Sequence, residues 1–452
     1  MKIVHLLGWY FPDSIGGTEV YVEGLCRRLR DAGHEVLVAA PDPHGVARER
    51  SEHDGVQVFR YAISDTPTRD EAYHRVPAGG AERLHRWLAS ERPDVLHVHS
   101  ITTGVGLPEL RAANRLGVRV IVTCHLPGFG FMCRTGELMQ WGRFPCDGIV
   151  EPAKCASCNL TRLGLAQSLS VVVGALPVPL SQLLRLIPGR VGTTLGMSAS
   201  VVEYEGLQRE LFGLVDHFVV LNETGRRMLT ANGSPANKIV LNRLGLSHTV
   251  TRKPPPDVAP TRRPVRFGFL GRLHPSKGLT ELARAVAASS RDIDFRLEIR
   301  GPALDPFSRG YADELRVLVA NDPRVTFEPA VAPTEVPAVL AGLDALVIPS
   351  MWFENGPTTA LEAIAVGTPI IASRAGNLAE IIADGVNGRL VPVGDVDALA
   401  RALREAALDP VRSIDVWRRG LAPPRTMDDV TRDYLSLYAT PRARTACASS
   451  EG

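Results

Sequence analysis

Ile348-Pro-Ser-Met-Trp-Phe-Glu354-Asn355-Gly356-Pro357-Thr358-Thr-Ala-Leu-Glu362-Ala-Ile-Ala-Val-Gly367 carries more chemistry than any other segment of the chain. A β-branched run ends at Ser350, and Asn355 or Gly356 is placed to cap a helix whose first turn takes Pro357, where proline's missing N–H does no harm. The unpaired amides of that turn, from Gly356 to Thr359, form an anion site at the positive end of the helix. Glu354 and Glu362 stand eight positions apart, roughly 12 Å at about 1.5 Å per residue of helix. That exceeds the about 5–9.5 Å of a glycosidase carboxylate pair. The two acids suit opposite ends of one extended ligand, a sugar at one end and a ribose at the other, with phosphate between. The plainer alternative is a surface acid near a helix start and a second, solvated one.

Upstream, Phe267-Gly-Phe-Leu-Gly271-Arg272-Leu-His-Pro-Ser-Lys277-Gly278 ends a strand in a glycine-containing loop that presents two cations before the next helix. Arg272 and Lys277 can meet a diphosphate and stabilise its departure as charge builds on it. The glycine spacing is not that of a Walker loop. Near the N-terminus, Ser14-Ile-Gly16-Gly17-Thr18-Glu19 joins another strand to a helix. Its paired glycines allow close approach to a ligand or, equally, an ordinary tight turn.

Around these loops, short β-branched runs alternate with helical patterns, the signature of parallel sheets built from βαβ units. The runs Lys2–Leu7, Val36–Ala40, Val56–Tyr61, Val95–Val98, Val118–Thr123, Phe218–Leu221 and Ile239–Leu241 form one series. Val265–Leu270, Phe295–Ile299, Val325–Phe327, Ala345–Ile348, Pro369–Ala372 and Leu390–Val393 form another. Between them, the proline- and charge-rich residues 251–264 fit neither a central strand nor a helix and read as a linker. The expected plan is an N-terminal domain over 1–250 with an insertion at about 127–195, and a C-terminal domain over 265–412. A helix within 413–440 returns to the first domain, and 441–452 is a disordered tail. Two such Rossmann-like sheets place the C-terminal ends of their strands around one central cleft.

The chain's 452 residues are too many for one ordinary domain, and its formal charge of +2 gives no reason to expect nucleic acid. The apolar start is cut off by Pro12-Asp13 and reads as a first strand rather than a leader. Leu163–Leu184 is uncharged and mostly apolar, but Gly174, Pro177 and Pro179 interrupt it. It is expected to face a membrane without spanning it.

Taken together, Gly16-Gly17-Thr18-Glu19, Asp94-Val-Leu-His-Val-His99, Val122-Thr-Cys-His125, Gly271-Arg272 with Lys277-Gly278, and the E-x7-E pair resemble the retaining glycosyltransferases of family 4. The resemblance runs to about Tyr438. It implies a GT-B fold, with two Rossmann-like domains facing each other across the cleft. It implies a nucleotide-sugar donor, with Arg272 and Lys277 on the diphosphate, Glu354 on the donor sugar, Glu362 on the ribose and His125 beside the reaction centre. Gly16 and Gly17 would lie under the diphosphate, and Asn355, Gly356, Pro357 and Thr358 would complete the donor site. No catalytic metal is required in that fold. Departures from the family's pattern are the segment after His125, Asn222-Glu-Thr and Arg243-Leu-Gly.

Seven cysteines without an export signal point to the cytosol. Cys133, Cys146, Cys155 and Cys158 form C-x12-C-x8-C-x2-C, whose last pair is half of a zinc knuckle. A structural zinc is the expectation, with an iron–sulfur cluster, disulfides or unpaired thiols as alternatives. His97 and His99 share a strand face and read as buried core histidines rather than metal ligands.

The expected activity is therefore transfer of a sugar, with retention, to an unknown acceptor, a lipid-linked or cell-envelope glycan being the expectation, in the cytoplasm or peripherally at the inner face of the plasma membrane. An epimerase of the same fold, or a sugar-nucleotide-binding protein without catalysis, are the alternatives.

Overall fold

The computed structural model describes residues 1–14, 16–42, 51–125, 133, 136, 138–248, 250, 252, 264–303 and 305–440. The N-terminal sheet contains β1 (Lys2–Leu6), β2 (Glu35–Asp42), β3 (Ser51–His53), β4 (Val56–Ala62), β5 (Val95–Val98) and β6 (Arg119–Thr123). After a small hairpin of β7 (Met139–Gln140) and β8 (Phe144–Pro145), β9 (His217–Val220) and β10 (Ile239–Leu241) complete that sheet. Its order is β10-β9-β6-β5-β1-β2-β4-β3, parallel except for β3, which runs antiparallel to β4 at the edge. The second sheet holds β11 (Val265–Leu270), β12 (Phe295–Arg300), β13 (Val325–Glu328), β14 (Ala345–Ile348), β15 (Ile370–Ser373) and β16 (Gly388–Val391). It is ordered β13-β12-β11-β14-β15-β16 and wholly parallel.

The central strands are apolar along their length because helices cover both faces. Ile3, Val4 and Leu6 on β1, and Leu346 and Val347 on β14, have no exposed surface. Helix Gly17–Asp31 buries Val22, Leu25, Cys26 and Leu29, a stripe of helical period, and Gly33 with φ +84° turns the chain into β2. Helix Met427–Ala439 crosses back to lie on the N-terminal sheet. There Tyr438 bonds His97 at 2.6 Å, Tyr434 bonds Thr123 at 2.7 Å, and Leu246 bridges to Thr426.

The chain joining β6 to β9 builds a helical arm of Pro152–Arg162, Gln167–Gly174, Val178–Leu184, Gly189–Leu195 and Met197–Leu214. Ala156, Leu160, Met197 and Val201 make an apolar core at its root, but the helices between are packed the other way round. Ser170 and Ser181 are fully buried and donate to the carbonyls of Leu165 and Leu195, while Ser198 donates to that of Gly174. Gly174 packs so closely on the next helix that a Cβ would stand 2.7 Å from the Ser157 nitrogen. The large side chains point away: Leu163, Val172, Leu183 and Leu186 are 69%, 68%, 66% and 78% exposed. Helices 167–174 and 178–184 meet at a 105° bend, and among the described residues no single helix is long and apolar enough to cross a membrane.

Most of the linker, the insertion's residues 126–132 and the tail 441–452 lie outside the described residues. In the 413–440 segment two helices stand in place of one, Ile414–Arg419 and Met427–Ala439. They are separated by Pro423 and Pro424, which cannot continue a helix.

Candidate active site

The strand ends of both sheets meet in two adjoining cavities. The larger, of about 320 Å³, is lined by Gly16, Gly17, His248, Gly271, Arg300, Thr358, Thr359 and Glu362 among others. The smaller, of about 180 Å³, is lined by Gly17, Thr18, Tyr21, His125, Trp352, Glu354, Asn355, Gly356 and Thr358. Gly17 and Thr358 line both and mark the passage between them.

Two expectations about the glutamate segment need correction. The helix begins at Thr358 with Pro357 at its N-cap, because the extended ψ of 97° at Pro357 keeps it outside the helical turn. Glu354 consequently lies in the preceding loop, and only Glu362 rides the helix. The roughly 12 Å spacing assumed one continuous helix and does not apply. The acids nevertheless occupy separate cavities, Glu354 the smaller and Glu362 the larger. The Ala360 amide is already taken by the Pro357 carbonyl, so the open amides of the turn belong to Thr358 and Thr359.

Glu354 is 5% exposed. Its Oε1 accepts from Lys277 Nζ at 2.6 Å, Ser350 Oγ at 2.5 Å and Trp352 Nε1 at 2.9 Å. Three donors on one oxygen hold the carboxylate rigidly and leave Oε2 for the cavity. Lys277 also lies 5.1 Å from the Trp352 ring centroid, a cation–π contact. Its position depends on Gly278, where φ is +73° and a Cβ would stand 1.8 Å from the Pro349 carbonyl. Only glycine fits there. Arg272, expected beside Lys277, is exposed and lines neither cavity. Arg300, which sequence reading passed over because it ends a strand rather than sitting in a glycine loop, lines the larger one.

Glu362 faces His248 Nε2 at 3.7 Å, and burial pushes its pKa up to about 7. His248 was also missed, since it follows β10 in a segment without a recognisable motif.

His125 ends a chain of three rings. His5 Nδ1 and His99 Nε2 are 2.8 Å apart, and His99 Nδ1 and His125 Nε2 are 3.0 Å apart. Burial pushes the His125 pKa down to about 3, so the ring is neutral. His5 Nε2 is buried without a partner. The assignment that leaves no buried N–H orphaned puts the proton of each ring on Nδ1, donated along the chain. His125 then presents Nδ1–H as the one ring nitrogen not engaged by His99. Tyr21 packs edge-on against the same ring at 4.7 Å.

His5 is the third histidine that the sequence does not place beside His97 and His99; among the described residues these three are the trio of metal-type ligand atoms within 4.8 Å of one another. Both nitrogens of His97 are taken by Tyr438 and Thr123, and both of His99 by His5 and His125. These bonds make the cluster a hydrogen-bonded core element.

The sequence profile of the glycosyl transferase 4-like domain matches residues 16–245, and that of the glycosyl transferases group 1 matches 264–409. The D-inositol 3-phosphate glycosyltransferase of Corynebacterium glutamicum (strain R) is 39% identical over 147 residues, 30% of this chain and 34% of that protein. The putative colanic acid biosynthesis glycosyltransferase WcaL of Salmonella typhimurium is 28% identical over 245 residues, 51% of this chain and 58% of that protein. The matches thus span about a third to under three fifths of these curated relatives. Anabaena Alr3699/HepE, solved in complex with UDP, superposes with a TM-score of 0.63 at 15% identity over 97% of this chain and 99% of its own. Sucrose-phosphate synthase from Thermosynechococcus elongatus does so at 0.62 and 18% over 97% and 98%. Two facing parallel sheets with this cleft, and profiles covering most of the chain, establish that the protein belongs to the group 1, 4-like glycosyltransferases of GT-B fold.

Proposed function

We propose that the protein transfers a sugar, with retained anomeric configuration, from a nucleoside diphosphate donor to a lipid-linked acceptor at the cytoplasmic face of a membrane. The observation that carries the donor reading is Glu354 on the smaller cavity, its Oε1 held by Lys277 at 2.6 Å, with Gly17 and Thr358 shared by both cavities. A nucleoside fits the larger cavity, with its ribose hydroxyls donating to Glu362. The diphosphate lies between Gly17 and Thr358, over the N-termini of helices Gly17–Asp31 and Thr358–Val366. The sugar enters the smaller cavity, where Glu354 Oε2 accepts from its hydroxyls and His125 Nδ1–H donates to one of its oxygens. The UDP and UDP-glucose complexes of Alr3699/HepE, alike in fold only, are consistent with such a donor.

Lys277 and the helix amides stabilise the leaving diphosphate as its charge grows, a role that needs no metal ion. Retention by way of a covalent intermediate needs a carboxylate nucleophile. Glu354, the sole carboxylate on the smaller cavity among the described residues, is held by three donors through one oxygen. Front-face displacement, with the departing phosphate accepting the acceptor's proton, is the route this supports.

The arm supports the membrane-borne acceptor. Between Glu151 and Glu203 the chain carries Lys154, Arg162, Arg185 and Arg190 and none of its acidic residues. It buries serine and glycine while turning leucine and valine outward, the packing of helices in lipid. Arg185 pairs with Glu203 and Lys154 with Asp147 and Glu151, so it is the exposed apolar surface that matches a bilayer.

The test is proton NMR of the first product formed from an α-linked donor, where an α-linked product is expected and a β-linked one sinks the retaining assignment. Lys277→Ala should lower kcat by about 10²–10³-fold, the scale of losing one transition-state charge contact. An unimpaired variant would remove Lys277 from the mechanism.

A further inference from the structure

The four insertion cysteines, which the transfer reaction does not use, meet in space. Cys133, Cys146, Cys155 and Cys158 all line one cavity of about 30 Å³, room for an ion or a water-sized body. We propose that they bind one Zn²⁺ as a tetrahedral thiolate centre that fixes the root of the helical arm.

The ligands come from three pieces of chain that have little else to hold them together. Cys155 and Cys158 lie three apart on one face of helix Pro152–Arg162, Cys146 follows the two-residue strand β8, and Cys133 precedes the hairpin. A hairpin of two-residue strands is too short to persist by its own pairing. Nevertheless it holds Leu138 and Trp141 at φ +51° and +53°, a conformation that leucine and tryptophan rarely adopt without an external constraint.

The Trp141 amide donates to Cys158 Sγ at 3.3 Å and the Glu151 amide to Cys155 Sγ at 3.4 Å, the outer-shell contacts that orient and stabilise metal-bound sulfur. Lys154 lines the same cavity, and its ammonium is held by Asp147 and Glu151, so it does not compete as a ligand. Binding exchanges four thiol protons for one Zn²⁺, leaving a dianionic centre. No three of these sulfurs lie within 4.8 Å of one another, whereas Zn–S bonds of about 2.3 Å require S···S separations near 3.8 Å. Loading therefore draws the shell inward, tightening the hairpin onto helix Pro152–Arg162.

That helix packs on Gln167–Gly174 and Met197–Leu214, so the centre would anchor the arm to the domain. The inference is independent of the donor chemistry, because Lys277, Glu354 and Glu362 belong to the other sheet.

Full-length protein purified from zinc-supplemented medium without chelator should contain about one zinc per chain by elemental analysis. Cys155→Ser and Cys158→Ser should lose it, and Cys447→Ser should keep it. Cys146→His, which preserves a ligand, should retain zinc where Cys146→Ser does not. Replacing zinc with Co²⁺ should give the visible spectrum of a tetrahedral thiolate site, and chelation should open residues 133–162 to protease while nucleotide binding persists. Metal-free protein with four titratable thiols in the insertion, a disulfide found by mass spectrometry, or iron with acid-labile sulfide would each overturn the assignment. So would full zinc occupancy in Cys155→Ser and Cys158→Ser.

Discussion

Asn355, from the C-terminal domain, donates through Nδ2 to the main-chain carbonyl of His125 at 2.9 Å, and to that of its neighbour Cys124 at 2.5 Å. Asn222 of the N-terminal domain donates in turn to Asn355 Oδ1 at 2.6 Å and caps helix Glu223–Ala231 with its own oxygen. Glu380 adds a second clasp, accepting from the Glu223 and Thr224 amides at 2.9 and 3.0 Å. The loop that bears Glu354 is thereby tied to the strand end that bears His125.

Asn355→Ala removes both donors and leaves two buried carbonyls short of a partner. At about 1–3 kcal/mol for such losses, kcat/KM should fall by about 10–100-fold. Thermal unfolding should shift little, because each sheet keeps its own core. Steady-state kinetics with small-angle scattering checks it: the variant should be slower and more open, and unchanged kinetics would mean that the clasp plays no part in assembling the site.

Glu362 makes stability depend on pH in a stated direction. Its pKa rises from 4.5 to about 7 in the fold, so between those values the folded chain holds a proton that the unfolded chain has released. Stability should fall as pH rises through that window, and the penalty is complete above it. The charged groups nearby are His248 at 3.7 Å and Arg300 on the same cavity. Glu362→Gln should therefore raise the melting temperature more at pH 8 than at pH 5, yet weaken nucleoside diphosphate binding. Equal shifts at the two pH values would show that this carboxyl is not the titrating group.

Gly17 separates a ligand role from a structural one. A Cβ there meets no protein atom within 4 Å and projects where both cavities pass. Gly17→Val should leave the melting temperature within a few degrees, since helix propensity differs by under about 1 kcal/mol. Nucleoside diphosphate affinity should drop by about tenfold or more, roughly 1.4 kcal/mol. Gly278→Ala, with its Cβ 1.8 Å from the Pro349 carbonyl, should instead lower stability and activity together. Calorimetric titration beside thermal melts distinguishes the two, and tight binding by Gly17→Val would place the diphosphate elsewhere.

The arm should confer vesicle binding. Val172→Glu and Leu183→Glu change side chains that are 68% and 66% exposed, so the fold should tolerate both. Each removes apolar contact on the order of 1.5–3 kcal/mol, enough for about a tenfold or greater loss of affinity. Flotation with anionic vesicles should recover the unmodified protein and lose the double variant. Absence of vesicle binding, or a dimer that these substitutions break, would reassign the surface.

The strands were largely legible in the amino-acid order, since a strand buried on both faces is apolar at most positions, as Val36–Ala40 and Ala345–Ile348 are. Where burial is partial the reading slipped: β16 spans Gly388–Val391 rather than Leu390–Val393, and the edge strand β3, Ser-Glu-His, has no apolar signature at all. Glu354 and Lys277 were visible because they sit in loops bounded by glycine and proline, and Glu362 because it stands on the helix that follows Pro357. Arg300 and His248 were not, because nothing local distinguishes them from ordinary strand-end residues.

Local order therefore settles which segments become strands and helices, and which loops stand at the strand ends, since backbone propensity and burial periodicity act over a few residues. Which side chains meet is settled by the crossing of distant segments. His5 reaches His125 only through His99, because β1, β5 and β6 are neighbours in the sheet. Asn355 finds the Cys124 carbonyl because the two sheets close on each other. In the arm, composition marks Leu163–Leu184 as apolar, but only the close approach that Gly174 and Ser170 allow turns its leucines and valines outward. Such contacts join residues tens to hundreds of positions apart, and no pattern of period 2 or 3.6 reaches that far.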